Sequence, residues 1–338
     1  MPLDYSGNPV ESAGLVAALE KVGLATVWVA EPYGFDAPTL MGYLAAKTET
    51  ITIGSGILNI YSRTPGTLVQ TAAGLDSVSG GRAAIGLGAS GPQVIEGFHG
   101  IPYDRPLART REIVDILRMG LRREALVHSG IYTLPLPADQ GLGLGKPLKL
   151  LNKPVRPDVP IWLAALTAKS VEQTAEIADG WLPFLFVPEK ASSIWGSALA
   201  AGAARRSPEL GPLKVSAGGL VAIGDDVKSA LDHLRPMYAL YVGGMGARGK
   251  NFYFDLACAY GYEAEAHEIQ DLYLSGRPRD AEARVPVEWL EASNLVGPAA
   301  YVRERIEAYR EAGVTDLQVN VAGGDPVRTI AQLAEWAA

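Results

Sequence analysis

Three tracts hold the residue types and spacings that could do chemistry, and each begins where an apolar run gives out. The first is SGGRAAIGLGASGPQ at 79–93. Glycines at the carboxyl end of a strand let a flat ring or a phosphate come close to the main chain, because no Cβ stands in the way. Gly86, Gly88 and Gly91 also match part of a dinucleotide fingerprint. Pro92 follows them, however, and no acidic residue stands at the next strand end, so a Rossmann site is poorly supported. The second tract, ITIGSGILNIYSRTP at 51–65, runs from Gly54-Ser55-Gly56 straight into Ile57 and Leu58 without a helix start. A simple bulge and a strained backbone are both open there. The third, AALTAKS at 164–170, is a strand end entering a helix with Thr167 near the first turn. Free N–H groups and the helix dipole favour a phosphate at such a place, although an ordinary capped helix has the same sequence.

Other reactive residue types are sparse. His99, His128, His233 and His267 have neither HxH nor HExxH spacing and lie near no Cys or carboxylate cluster, so no metal site is expected. His233 and His267 read as helix-face residues, and His99 and His128 as loop residues able to reach a substrate. No GxSxG nucleophile elbow is present. Arg109 and Arg111 fall where a helix starts, within reach of an anion or simply solvated. The lone Cys258 excludes a disulfide framework and a thiolate cage. A net charge of −7 argues against a broad nucleic-acid or polyanionic membrane surface. The first residues, MPLDYSGNPV, lack the basic and apolar regions of a signal peptide. No stretch reaches the roughly 18 apolar residues of a membrane helix. These features predict a cytoplasmic protein acting on small molecules.

The elements that must position these tracts alternate regularly. Helices are expected at 9–22, 37–47, 66–77, 107–122, 169–178 and 299–312. Short apolar runs that read as strands lie at 25–30, 51–56, 82–87, 161–165, 180–185, 215–223 and 316–321. Their near-continuous apolar character suits a parallel sheet covered on both faces. With MPLDYSG as the end of an eighth strand, a closed (β/α)8 barrel is favoured over an open doubly wound sheet. The expectation is one α/β domain over 1–338 with a short first strand. Gly- and Pro-rich 128–158 and a helical stretch at 247–290 are expected to be insertions over the barrel's carboxyl-terminal face, with 243–249 a flexible hinge after a long helix.

Taken together, the tracts resemble the luciferase-like monooxygenase superfamily. SGGRAAIGLGASGPQ resembles its most specific signature, AEIADGWLPFLF at 175–186 its second, and VGPAAYVRERIEAYREAGVTDLQVNV at 296–321 its closing unit. The LARTRE, GLGKPLK and YVGGMGA tracts are similar to the branch that uses the deazaflavin coenzyme F420. The resemblance implies a (β/α)8 barrel, usually a homodimer, with the tricyclic coenzyme at the carboxyl ends of the strands. It implies a non-prolyl cis peptide at Gly56-Ile57, with Ser55, Gly56 and Ile57 backing the ring. Gly86, Leu87, Gly88 and Ala89 would line the ring's edge, and Glu31 and Pro32 would face it. Ala164, Ala165 and Leu166 would donate backbone N–H groups to the phosphate, with Arg109 as a side-chain partner. Relatives that oxidise glucose 6-phosphate carry a His at the second strand's end and a Glu after the fourth. Pro32 and Ala89 stand there, which rules that substrate out. The implied activity is hydride transfer between F420 and a small organic substrate, with Glu31, Tyr61 and His99 as candidate proton donors. An FMN-dependent monooxygenase and a non-catalytic flavin-binding relative are the alternatives.

Overall fold

Alternating apolar runs and helices curl into a barrel. The computed structural model describes residues 1–3 and 7–337. Its strands are β1 (Pro2–Leu3), β2 (Thr26–Val29), β3 (Thr52–Ser55), β4 (Leu58–Asn59), β5 (Ala83–Gly88), β6 (Ile161–Ala164), β7 (Gly180–Leu182), β8 (Lys214–Ile223), β9 (Leu295–Gly297) and β10 (Asp316–Val321). Eight lie side by side in the order β1-β2-β3-β5-β6-β7-β8-β10, and β4 and β9 extend the partners of β5 and β8. All of these pairs are parallel. This is the (β/α)8 barrel the alternation predicts. The first strand is short, as expected; of MPLDYSG, residues 4–6 lie outside the described residues. Among the described residues no ladder joins β1 to β10, and a cleft of about 230 Å³ lined by Thr26, Gln318 and Leu333 marks that seam.

The helices start where local chemistry dictates. Asn8, Asp36, Thr64 and Thr167 each accept a hydrogen bond from a main-chain N–H two or three residues on. Each thereby satisfies one of the donors a helix start leaves open. Pro9, Pro65, Pro106 and Pro188 open their helices, where a missing N–H costs nothing. Most apolar burial lies between the strands and this outer layer. A smaller cluster fills the barrel itself: Trp28 from β2, Ala84 from β5, Trp162 from β6 and Leu182 from β7. The two indoles meet edge to face at 5.1 Å. Glycine makes the room, since a Cβ on Gly54 would fall 2.3 Å from Trp28, and one on Gly180 would fall 2.1 Å from Trp162.

The two expected insertions behave differently. The segment 128–158 leaves from the end of the Pro106–Leu121 helix and returns to the start of β6. It therefore sets out from the amino end of the barrel and climbs beside that helix. Glu112 accepts the N–H groups of Ile131 and Tyr132, and the Tyr132 hydroxyl reaches the Ile60 carbonyl near the rim. On the way back Arg156 clamps the buried Asp76 and the Ala83 carbonyl. The other insertion follows β8 and forms helices at Phe252–Ala259, Glu263–Leu274, Pro278–Glu282 and Val287–Ala292.

The long helix expected before 243 is broken into Val227–Asp232, Arg235–Ala239 and a π-turn at Leu240–Gly244. Pro236, which has no N–H to give to the preceding turn, stands in the first turn of the second piece. Of the glycines that follow, Gly243 and Gly244 pack closely on Tyr273, and Gly246 packs on Asn251. Buried Asn251 donates to the carbonyls of Tyr241 and Val242 and accepts from the N–H groups of Tyr253 and Phe254.

Candidate functional site

At the carboxyl ends of β3, β5 and β6 the barrel presents main chain almost without side chains. The Ser55 hydroxyl donates to the Gly86 carbonyl and accepts the Gly86 N–H, both at 2.9 Å. The next peptide bond, Gly56-Ile57, is cis, the position the resemblance implies. The chain then re-enters the sheet as β4 beside Leu87 and Gly88. A Cβ on Gly86 would lie 1.9 Å from the Ser55 carbonyl oxygen. One on Gly88 would meet Ile57 at 3.1 Å and Ala164 at 3.4 Å. Ala164 is solvent-exposed although its strand is paired on both sides. Gly56, Ile57, Gly88 and Ala164 thus stand together as a slot of nearly bare main chain, reaching solvent at Ala164, that a side chain on β5 would crowd.

Alternation along β5 corrects part of the expected lining. Successive residues of a strand face opposite ways. Gly86 and Gly88 therefore face the barrel axis, and Leu87, fully buried, packs outward into the core beneath the helices. Ala165 is buried in that outer core too. Ala89 follows at the strand's end, half-buried.

The turn after β6 points donors outward. The Trp181 indole N–H donates to the Ala165 carbonyl at 2.9 Å, and that of Trp195 donates to the Leu166 carbonyl at 2.8 Å. In a trans peptide the N–H points away from the carbonyl. Anchoring these carbonyls inward therefore turns the N–H groups of Leu166 and Thr167 the other way, at the start of the Ala168–Ile177 helix. Lys169 and Ser170 lie in its first turn.

The charged candidates are already engaged. Glu31 forms a two-pronged ion pair with Arg63, at 2.5 and 2.7 Å, and accepts the Ala37 N–H at 2.8 Å. Its side chain is 8% exposed and that of Arg63 is 15% exposed, so the pair is largely out of water. Pro32, the next residue, is exposed at the rim. Arg109 does not stand free for a phosphate. It pairs with Asp104 at 2.6 Å and lies over the rings of Tyr61 and Tyr132 at 5.3 and 5.5 Å. Burial and the neighbouring Tyr103 push the Tyr61 phenol well above its usual range. The Tyr61 hydroxyl donates to the Asp104 carbonyl.

His99 Nε2 lies 3.2 Å from the Asn59 amide nitrogen. Asn59 Oδ1 is taken by the N–H groups of Tyr61 and Ser62, so its nitrogen must be the donor and Nε2 the acceptor. His128 instead contacts the Tyr132 carbonyl through Nδ1.

What the sequence does not reveal is a crown of aromatic rings around the same opening. Tyr33 after β2 lies 6.4 Å from Phe98 after β5, and both are more than half exposed. Phe184 after β7 lies 4.7 Å from Tyr241, which lies 4.6 Å from Tyr253. The insertion after β8 carries Tyr241 and Tyr253 across the opening, where Met245 approaches the Gly91 turn. Arg63 was missed as well. Its partner is 32 residues away, and no local pattern joins them.

Among the described residues no group of three or more His, Cys, Asp or Glu could hold a metal ion, and no helix is long and apolar enough to cross a membrane. A barrel whose strand tips offer bare main chain and N–H donors has the form of a cofactor-using enzyme of the α/β-barrel class. Residues 2–316 match the luciferase-like monooxygenase family, and the chain belongs to it. It is 39% identical to a Mycobacterium tuberculosis protein named "Putative coenzyme F420-dependent oxidoreductase", with 98% of this chain and 97% of that one covered. In structure it is similar to the coenzyme F420-dependent tetrahydromethanopterin reductase from Methanopyrus kandleri. There the TM-score is 0.81 at 22% identity, over 99% of this chain and 96% of that one. It is also similar to an F420-dependent secondary alcohol dehydrogenase in complex with an F420-acetone adduct. That TM-score is 0.74 at 18% identity, over 100% and 98% of the two chains.

Proposed function

We propose that the chain is an F420-dependent oxidoreductase that moves a hydride between the deazaflavin and a small organic substrate. The observation that carries this reading is the slot at Gly56, Ile57, Gly88 and Ala164, which a single added Cβ would narrow. A flat tricyclic ring needs such close access to main chain, and the N–H groups of Leu166 and Thr167 suit its phosphate. The 39% identity to the mycobacterial protein named for F420 supports the same coenzyme. When bound, the deazaflavin supplies the hydride-carrying carbon, so the chain needs no nucleophile of its own. Ser55, Gly56, Ile57, Gly86, Gly88 and Ala89 hold and flank the ring, and Ala164, Ala165 and Leu166 shape the phosphate turn. Glu31 is held by Arg63 and by the Ala37 N–H, so it organises the rim and does not serve as a free proton donor.

Titrating the protein with F420 and with FMN tests the reading. F420 should bind at least tenfold tighter. Tighter FMN would favour the oxygen-activating alternative, and bound F420 with no turnover of any carbonyl, imine or enone would favour a non-catalytic carrier. We also infer a homodimer. Leu142, Leu144 and Leu151 on the segment 128–158 are between 81% and 93% exposed, an apolar surface of the kind that marks contact with another chain. Sedimentation velocity giving one monomeric species would end that inference.

A further inference from the structure

Two of the proton-donor candidates visible in the sequence, Glu31 and Tyr61, are occupied by the protein itself, and the third, His99, is held at one ring nitrogen with its Nδ1–H left over. Glu31 pairs with Arg63, the Tyr61 hydroxyl donates to Asp104, and His99 Nε2 accepts from Asn59. Tyr241 and Tyr253 add two half-buried hydroxyls to the opening. Among the described residues, neither the Tyr241 nor the Tyr253 hydroxyl has a hydrogen-bond partner. Asn251 fixes the main chain under both, and Phe184 packs against both rings, at 4.7 and 6.0 Å. Side chains anchored this firmly, with their hydroxyls at the opening, are preorganised to meet something from outside the chain.

The chemistry of the crown limits what that can be. Burial raises the phenols of both Tyr241 and Tyr253, and Tyr33 and Tyr103 add to the effect, so both remain neutral O–H donors across the ordinary pH range. Two neutral donors satisfy a carbonyl oxygen. They do not repay the loss of water around a carboxylate, which asks for a cation. The nearby Arg63 and Arg109 are already matched by Glu31 and Asp104. The rings of Phe184, Tyr241, Tyr253, Tyr33 and Phe98 offer faces and edges to a flat apolar body.

We infer that Tyr241 and Tyr253 form the oxygen-binding end of the substrate pocket, and that the pocket takes a flat, uncharged carbonyl compound, either an aromatic ketone or a cyclic enone. This rests on seating the coenzyme against β3, β5 and β6, which leaves the crown to the substrate.

The test uses three probes of one shape: acetonaphthone, which is an uncharged ketone, naphthoate, which is an anion, and ethylnaphthalene, which has no acceptor. Dissociation constants come from quenching of tryptophan fluorescence, with and without F420. F420 affinity is measured separately on the same preparations. Acetonaphthone should bind about tenfold tighter than naphthoate and should bind together with F420. Tyr241→Phe and Tyr253→Phe, which remove one oxygen each, should each weaken the ketone about fivefold. They should leave ethylnaphthalene and F420 unchanged. Naphthoate binding as tightly as the ketone, displacement of the ketone by F420, or wild-type ketone affinity in the doubly substituted protein would each overturn the inference. If F420 fails to bind while the ketone series behaves as stated, the coenzyme assignment falls and the carbonyl pocket stands.

Discussion

The opening of this barrel is built in two ways. On the arc of β3, β5 and β6 the surface is main chain, cleared of side chains by Gly56, Gly86 and Gly88. On the arc of β2, β7 and the insertion after β8 it is made of rings, from Tyr33, Phe184, Tyr241 and Tyr253. Main chain is the same whatever the sequence, so an arc made of it suits a partner that does not change. Side chains can be exchanged without moving a strand, so the ring arc is where one member of a family can differ from another in what it accepts. The contrast says which half should govern the coenzyme and which half the substrate.

Substitutions can break that division. The largest effect is expected from Gly86→Ala. The new Cβ meets the Ser55 carbonyl, and the adjacent strands β3 and β5 must part at the Ser55 bridge, for a loss above ~4 kcal/mol in chemical denaturation. A soluble variant with near-native stability would show that β3 and β5 are less tightly joined than described. Arg63→Ala should cost about 3 kcal/mol, because it leaves a nearly buried carboxylate unpaired. Double substitution with Glu31→Gln should recover most of that loss. Gly88→Ala is subtler: Ile57 can give way, so stability should hardly move while F420 affinity falls about tenfold. Phe184→Ala reverses the pattern. It should cost about 1 kcal/mol of ring packing and raise the substrate KM, with coenzyme affinity within twofold of wild type. If Phe184→Ala weakens the coenzyme as much as Gly88→Ala does, the division between the arcs is wrong.

The smallest effect lies outside both arcs. Burial works against the charge of Glu20, but the N–H groups of Thr50, Ile51 and Glu49 bind its carboxylate and hold it below the usual carboxylate range. A carboxyl depressed in the folded state stabilises above its unfolded pKa, and that contribution is lost as pH falls through the folded value. Glu20→Gln should therefore melt lower than wild type at neutral pH, with the gap closing in acid and both arcs working normally.

The two arcs also differ in how far they could be read from the chain. The main-chain arc was legible because its signals are local. An apolar run ending in Gly-Ser-Gly or Gly-Leu-Gly says both where a strand is and where it goes bare. The barrel followed from the same runs, apart from β4 and β9, which at two and three residues are too short to leave a periodicity. The outward turn of Leu87 follows from strand alternation once the start of β5 is fixed, and the run alone does not fix it.

The ring arc was not legible. Tyr33, Phe184, Tyr241 and Tyr253 sit in connections whose shape is set by anchors such as Asn251, and they meet across long stretches of sequence. Arg109 misled for the opposite reason. An arginine opening a helix looks available, but Asp104, five residues earlier, had already taken it.

Ser55 has one more effect. By bridging to Gly86 with its hydroxyl, it takes the place of one rung of the ladder, so β5 is flanked first by β3 and then by β4, two short partners in series along one edge. With β6 along the other edge, β5 is covered over most of its length. In deuterium-exchange experiments its amides should be among the last in the molecule to label, so the floor of the slot should stay rigid while the loops above it open and close.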